Sequence, residues 1–136
     1  MQIIAPEGRL YVVVGIIRND RDQYLVQQRL PGKPCAGQWE FPGGKREADE
    51  TPQEALVREL KEELGINSLQ MAALTQIGYD YEHANVWLDV FLISEFSGKV
   101  ESREGQELAW CSVDDIRQLD TLDAVPPILE ILDSLS

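Results

Sequence analysis

The chain has 136 residues, 43% hydrophobic and 26% charged, with 24 Asp and Glu against 12 Lys and Arg for a formal net charge of −12. That length suits one domain over residues 1–136 that buries a core without disulfide or metal staples, and the composition is that of a folded rather than a disordered chain. The acidic balance excludes a long polyanion such as DNA or RNA as partner, whereas a small anion would need cations to bridge it.

The opening segment, MQIIAPEGRL, has neither the positive start nor the extended apolar run of a signal peptide, so a cytoplasmic protein is expected. LYVVVGIIRND, residues 10–20, is a β-branched strand interrupted by Gly15, and DQYLVQQR alternates through to Arg29; the NDRDQ turn between them predicts a hairpin. Pro31, Gly32 and Pro34 then enforce a loop that ends in the short apolar WEF. Thr51, Pro52 and Glu54 supply an N-cap, an N1 proline and a capping-box acid, and Gly65 is placed to terminate, so a helix is expected over residues 52–64. Leu56, Val57, Leu60 and Leu64 form its core stripe, and Glu59, Glu62 and Glu63 form an adjoining one. LQMAALTQIGYDYE and ANVWLDVFLISEF read as strands, SGKVESREGQE as a polar connection, LAWCSV as a last strand, and DDIRQL and PPILEILDSL as helices. The mixture predicts α/β or α+β, with helices packed on a sheet. No apolar run is long enough to span a bilayer. Cys35 and Cys111 lack a CxxC spacing, are expected to be reduced, and are too few for a metal site.

Like charges at i, i+3 and i+4 repel by up to about 0.5 kcal/mol per pair on an isolated helix. A helix chosen only for stability would intersperse lysines there. The triplet follows Gly43 and Gly44, residues that let backbone approach a ligand or bend sharply. Such oxygen-rich surroundings suit a hard divalent cation, which prefers carboxylates, water and phosphate oxygens, and a phosphate ester bound through it resolves the charge problem.

Gly44, Glu50, Arg58, Glu59, Leu60, Glu62, Glu63, Gly65 and Ile66 stand at the spacing Gly, five residues, Glu, seven residues, Arg-Glu-apolar, one residue, Glu-Glu, one residue, Gly-apolar. This resembles the complete Nudix box, spanning 44–66, and VGIIRND, QWEFPGGK and REGQELAW resemble the MutT branch of that family in the same order. The resemblance implies an α/β/α sandwich with a mixed sheet, the box forming loop, helix and loop. It implies hydrolysis of a nucleoside diphosphate linked to another group, by water attack at phosphorus with Mg²⁺ or Mn²⁺. Glu59, Glu62 and Glu63 match the metal-binding acids, the Gly43 carbonyl a backbone ligand, and Glu104 the distant fourth acid, with Glu107 competing for that place. Glu59 is the expected general base, with Glu104 as the alternative. Glu50 and Arg58 match a structural salt bridge, and Lys45 either contacts phosphate or is solvated.

For the nucleobase, Arg29 and Phe41 match positions that line the pocket, although core packing accounts equally for Phe41. Where the branch's enzyme for oxidised guanine nucleotides carries Asn two residues before a proline, this chain has Ala124, or Val125 on the other alignment, with Asp123 adjacent as a substitute of different hydrogen-bonding logic. The expected activity is MutT-like pyrophosphohydrolysis of a modified nucleoside triphosphate, with 8-oxo-dGTP as one substrate. Hydrolysis of a cytidine triphosphate, ADP-ribose or a dinucleoside polyphosphate is the alternative, and a nucleotide-binding sensor without catalysis a further one. A small nucleotide is the expected partner, and a monomer and a dimer are equally compatible with the sequence. His83 is assigned no role, and Trp39, Trp87 and Trp110 read as core or pocket wall. Asp89, which breaks the pattern of VWLDVFLI, is expected to face solvent, with the pocket as the alternative.

Overall fold

The structure is a computed structural model that describes residues 5–135; Met1 to Ile4, part of the stretch read above for a leader, and Ser136 lie outside the described residues. After a 3-10 turn at Pro6–Gly8, β1 (Leu10–Ile17) runs through the middle of a mixed sheet. It pairs antiparallel with β4 (Gly43–Lys45) and parallel with β6 (Asn85–Ser97), and β5 (Asn67–Asp80) adds antiparallel to β6 to give the order β4-β1-β6-β5. A second, antiparallel sheet has the order β3-β2-β7, from β2 (Tyr24–Gln28), β3 (Trp39–Glu40) and β7 (Leu108–Cys111).

The expected hairpin of β1 with β2 is therefore a correction. The turn forms, with the Asn19 Oδ1 accepting from the Arg21 and Gln23 N–H groups, but among the described residues the ladder goes no further than the Arg18–Tyr24 bridge and the strands then enter different sheets. Each strand finds its full set of backbone partners further along the chain, and a turn signal carries no information about those. β4 was not expected as a strand, since two of its three residues are glycines with no side chain to show a period.

Alternation along β1 sends Val13 and Ile17 to one face of the sheet and Val14 and Ile16 to the other. The first face packs on Leu56, Leu60 and Leu64 of α1 (Pro52–Leu64), and Gly15 admits that helix closely, since a Cβ there would lie 3.1 Å from Leu60 Cδ1. The opposite face is covered by Ile116 of α2 (Val113–Arg117) and by Val125, Ile128, Leu129 and Leu132 of α3 (Val125–Ser134). This is the expected α/β/α sandwich with a mixed sheet. Ala55 joins the buried stripe of α1, while Val57 is only half-buried. Trp39 and Trp110 pack against the two cores. Among the described residues no helix is long and apolar enough to cross a membrane.

Helix α1 is closed at both ends. The Thr51 hydroxyl accepts from the Glu54 N–H at 3.1 Å, the Glu54 carboxylate accepts from the Thr51 N–H at 2.9 Å, and Gly65 takes the left-handed conformation at φ +74°. Its last carbonyls are met from a distant loop: the Glu101 N–H donates to Leu64 O at 2.9 Å and the Arg103 N–H to Glu63 O at 3.0 Å.

Asp89 departs from expectation. It is 5% exposed on the α1 face of the sheet, where it accepts a hydrogen bond from the Tyr11 hydroxyl, so a buried polar pair rather than solvent or ligand explains the break in the apolar pattern.

Candidate active site

The glycines of β4 are required by close approach. A Cβ on Gly43 would fall 2.0 Å from the Val13 carbonyl oxygen, and one on Gly44 would fall 2.4 Å from the Glu59 carboxyl carbon. Without side chains, the strand lets the acidic face of α1 press directly against its backbone. Arg58 ties loop to helix: its Nε donates to Glu50 Oε2 at 2.6 Å and its Nη2 to Glu50 Oε1 at 2.9 Å, a bidentate pair, and Nη2 also donates to Lys45 O at 3.1 Å. Its Nη1 donates to Glu59 Oε1 at 2.9 Å and to Glu62 Oε2 at 3.4 Å. The Arg58 hydrogen bond holds the Glu50 carboxyl below its usual range.

Glu63 lies in a different environment. Its Oε2 is buried with no hydrogen-bond partner among the described residues, and its pKa is pushed up to about 9, first by burial and then by the charges of Glu59, Glu104 and Glu40, against the opposing Gly43 N–H. Burial likewise raises Glu59, with Arg58 opposing. Glu62 is exposed at the rim. Glu104 is brought alongside by the loop bonded to the end of α1, and its charge is felt at both Glu59 and Glu63. Glu107 is exposed and does not line this space.

Among the described residues no three acidic, histidine or cysteine side chains already converge on a single point. The acids instead border a common space with one buried oxygen left unpaired. A buried carboxylate raised by neighbouring carboxylates is what a divalent cation would relieve, so this donor set of hard oxygens fits such an ion.

These acids occupy one end of a cavity of about 680 Å³, together with Lys45. The other end is walled by Phe41, Leu88, Ala124, Ile128 and Tyr81, with His83 stacked on Tyr81 at 5.4 Å between ring centroids. Phe41 is 4% exposed in the core and also lines the cavity. Arg29 is at the wall but not free: its Nη1 donates to both oxygens of Glu40, at 3.2 and 3.3 Å, and its Nε to the Pro34 carbonyl at 2.6 Å. Burial raises the Glu40 carboxyl in spite of that guanidinium.

Asp123 is not brought to this cavity. Its Oδ2 accepts from the Tyr79 hydroxyl at 2.9 Å and it borders a shallower recess outside, while the next residue, Ala124, is buried with its N–H donating to the Tyr81 hydroxyl at 3.0 Å. Sequence reasoning passed over Glu40, Gln27, Gln106, Tyr81 and His83, all of which line the cavity. Of these only Glu40, a lone charge inside the apolar WEF, carries a signal legible in the sequence.

A model of the NUDIX domain matches residues 8–131. The chain is 33% identical over 127 residues to the 8-oxo-dGTP diphosphatase of Escherichia coli K12, covering 93% of this chain and 98% of that protein. It is 37% identical over 119 residues to the CTP pyrophosphohydrolase of the same organism, covering 88% and 87% of the two chains. Among solved structures, the MutT protein of Methanosarcina mazei superposes with a TM-score of 0.82 at 30% identity, over 92% of this chain and 93% of that one.

Proposed function

The chain belongs to the NUDIX family, and from that premise we propose that it is a MutT-like hydrolase that splits a nucleoside triphosphate into the monophosphate and pyrophosphate, with 8-oxo-dGTP as the first substrate to test. The observation that carries this is the partnerless Glu63 oxygen among carboxylates at one end of a cavity whose other end is aromatic and apolar. Its volume of about 680 Å³ is that of a small-ligand site.

Nudix hydrolases need a divalent metal, here proposed to be Mg²⁺ or Mn²⁺, held by Glu59, Glu62, Glu63, Glu104 and the Gly43 carbonyl. When bound, the ion would neutralise phosphate oxygens, make water a stronger nucleophile near neutral pH and steady the departing pyrophosphate. Glu59 is the proposed general base. Its Oε1 is engaged by Arg58, which leaves Oε2 to accept the proton of the attacking water as the new oxygen–phosphorus bond forms and the bridging bond breaks. Glu104 stands as the alternative base. Lys45 would contact phosphate at the acidic end, while Phe41 and the Arg29–Glu40 pair would meet the base. Glu50 does no chemistry in this scheme and fixes Arg58.

A second substrate, a cytidine triphosphate, is suggested by the likeness to the CTP pyrophosphohydrolase, and one observation weakens the case for oxidised guanine. At either position where a side-chain amide would read oxidised guanine stands a buried apolar residue, Ala124 or Val125, and Asp123 is held outside by Tyr79. Rates on a panel of nucleotides, with the phosphate products identified, separate the two. Glu59→Gln is expected to lower kcat by about 10²- to 10⁴-fold on the best substrate. Full activity in that variant sinks the assignment of the base, and nucleotide binding without hydrolysis under any divalent metal sinks the enzyme reading.

A further inference from the structure

Beneath the acids runs a line of side-chain amides that the mechanism does not use. Gln106 and Gln27 are 7% and 8% exposed. Gln106 Oε1 accepts from the Glu104 N–H at 3.1 Å, the single proton of the Ser102 hydroxyl is shared between Gln106 O at 2.6 Å and Gln106 Oε1 at 2.8 Å, and Gln106 Nε2 donates to Gln27 Oε1 at 3.4 Å. Gln27 Nε2 in turn donates to Glu40 Oε2 at 3.5 Å, the carboxylate gripped by Arg29.

The direction of both amides is set from the Glu40 end. Arg29 Nη1 donates to both Glu40 oxygens, which marks that carboxyl as an acceptor, so Gln27 presents its NH₂ there and its oxygen to Gln106, which must then turn its own oxygen toward the loop. A reversed Gln106 would oppose its NH₂ to the Glu104 N–H. The same loop is bonded on its other side to the end of α1, through the Arg103 N–H to Glu63 O and the Glu101 N–H to Leu64 O. Glu104 is therefore an exposed loop residue whose backbone is pinned from two directions, with Gly105 at φ +82° turning the chain back toward Gln106.

We propose that Gln106 is a positioning residue of the site, which through the Glu104 N–H holds the loop so that the Glu104 carboxylate faces Glu59 and Glu63, its own amide being oriented by Gln27 and Glu40. The inference rests on the reading of Glu104 as a metal-holding acid. It supplies what that reading lacks, a reason why a surface glutamate would be preorganised. Without Gln106 the Glu104 N–H loses its acceptor and the tie on that side of the loop is gone.

The test is Mn²⁺ binding to the full chain without nucleotide, followed by the loss of the free-ion paramagnetic resonance signal. Gln106→Leu, close in shape and without polar atoms, is expected to raise the Mn²⁺ Kd about tenfold, the lower end of the range for partners of metal ligands. Ser102→Ala removes a hydroxyl that bonds both the backbone and the amide oxygen of Gln106, and should shift Kd in the same direction by less. In the Glu104→Gln background, Gln106→Leu should change Kd by no more than about twofold, because its effect passes through Glu104.

Independent, multiplying effects of Gln106→Leu and Glu104→Gln overturn the positioning role, as does a Gln106→Leu protein that binds Mn²⁺ normally while Glu104→Gln does not. If Gln106→Leu fails to fold, Gln106→Asn, which keeps an amide but withdraws it from the Glu104 N–H, takes its place, and an unchanged Kd there overturns the role. A silent Glu104→Gln beside a weakened Glu59→Gln removes Glu104 from the metal site, and the positioning role falls with it. The identity of the silent single variant tells the two failures apart.

Discussion

Gly43 and Gly44 are adjacent and chemically identical, yet the structure asks different things of them. A methyl group on Gly43 meets the backbone oxygen of Val13 at 2.0 Å, which cannot yield without moving β1, whereas one on Gly44 meets the mobile end of Glu59 at 2.4 Å. Gly44→Ala should therefore fold, with a nearly unchanged thermal midpoint, while displacing the proposed base and lowering kcat about 10²-fold. Gly43→Ala should instead lose stability before it loses chemistry. Steady-state rates and thermal unfolding of the two variants check this, and equal behaviour would refute it. Glu59, Glu62 and Glu63 were visible in sequence because their spacing is a property of one helix. Asp89 was not, since its partner, the Tyr11 hydroxyl, lies 78 positions away along the chain.

Between elements, the Glu50–Arg58 pair is one of the bonds that join the segment after the glycines to α1. The guanidinium holds the Glu50 carboxyl below its ordinary value of 4.5. A depressed folded-state pKa means that the stabilisation is fully present above the ordinary value and is lost as pH falls through the folded one. Glu50→Gln should thus be less stable than the parent at neutral pH, and the gap should close in acid, read as urea midpoints from about pH 7 down to about pH 3. A constant gap would show that the pair acts through shape alone. The same helix shows what local sequence can disclose. Thr51, Pro52, Glu54 and Gly65 mark its limits by interactions within a few residues, and the observed span of Pro52–Leu64 agrees with expectation. The pairing of β1 with β6 rather than β2 depends on contacts more than 70 residues apart in sequence, and nothing in NDRDQ encodes them. Gln106 was opaque for a similar reason: its oxygen serves the neighbouring loop, but its NH₂ answers to Gln27 on another strand.

For the molecule as a whole, a net charge of −12 and a pocket of mutually repelling carboxylates put folding and cation binding in the same balance. An ion that binds only the folded state stabilises it by about 2.7 kcal/mol at a hundredfold excess over Kd. Added Mg²⁺ or Mn²⁺ should raise the unfolding temperature and a chelator should reverse the rise. Changing Glu59 and Glu63 together to Gln should abolish the response, as followed by scanning calorimetry. A rise that survives the double change would place the ion elsewhere on the acidic surface.

The backbone bonds from Glu101 and Arg103 to the end of α1 have one more consequence. The chain leaves the helix at Leu64, travels out and back along β5 and β6, and rejoins the same helix end, so the hairpin that supplies two strands of the main sheet is closed at its base. The acids are organised at that base, and Tyr81 and His83 ride at the far tip. Changes in the tip's length or composition can therefore recut the wall that a nucleobase would meet without disturbing the carboxylates. An ancestral protein with this architecture could exchange one nucleotide preference for another while keeping its hydrolytic apparatus intact.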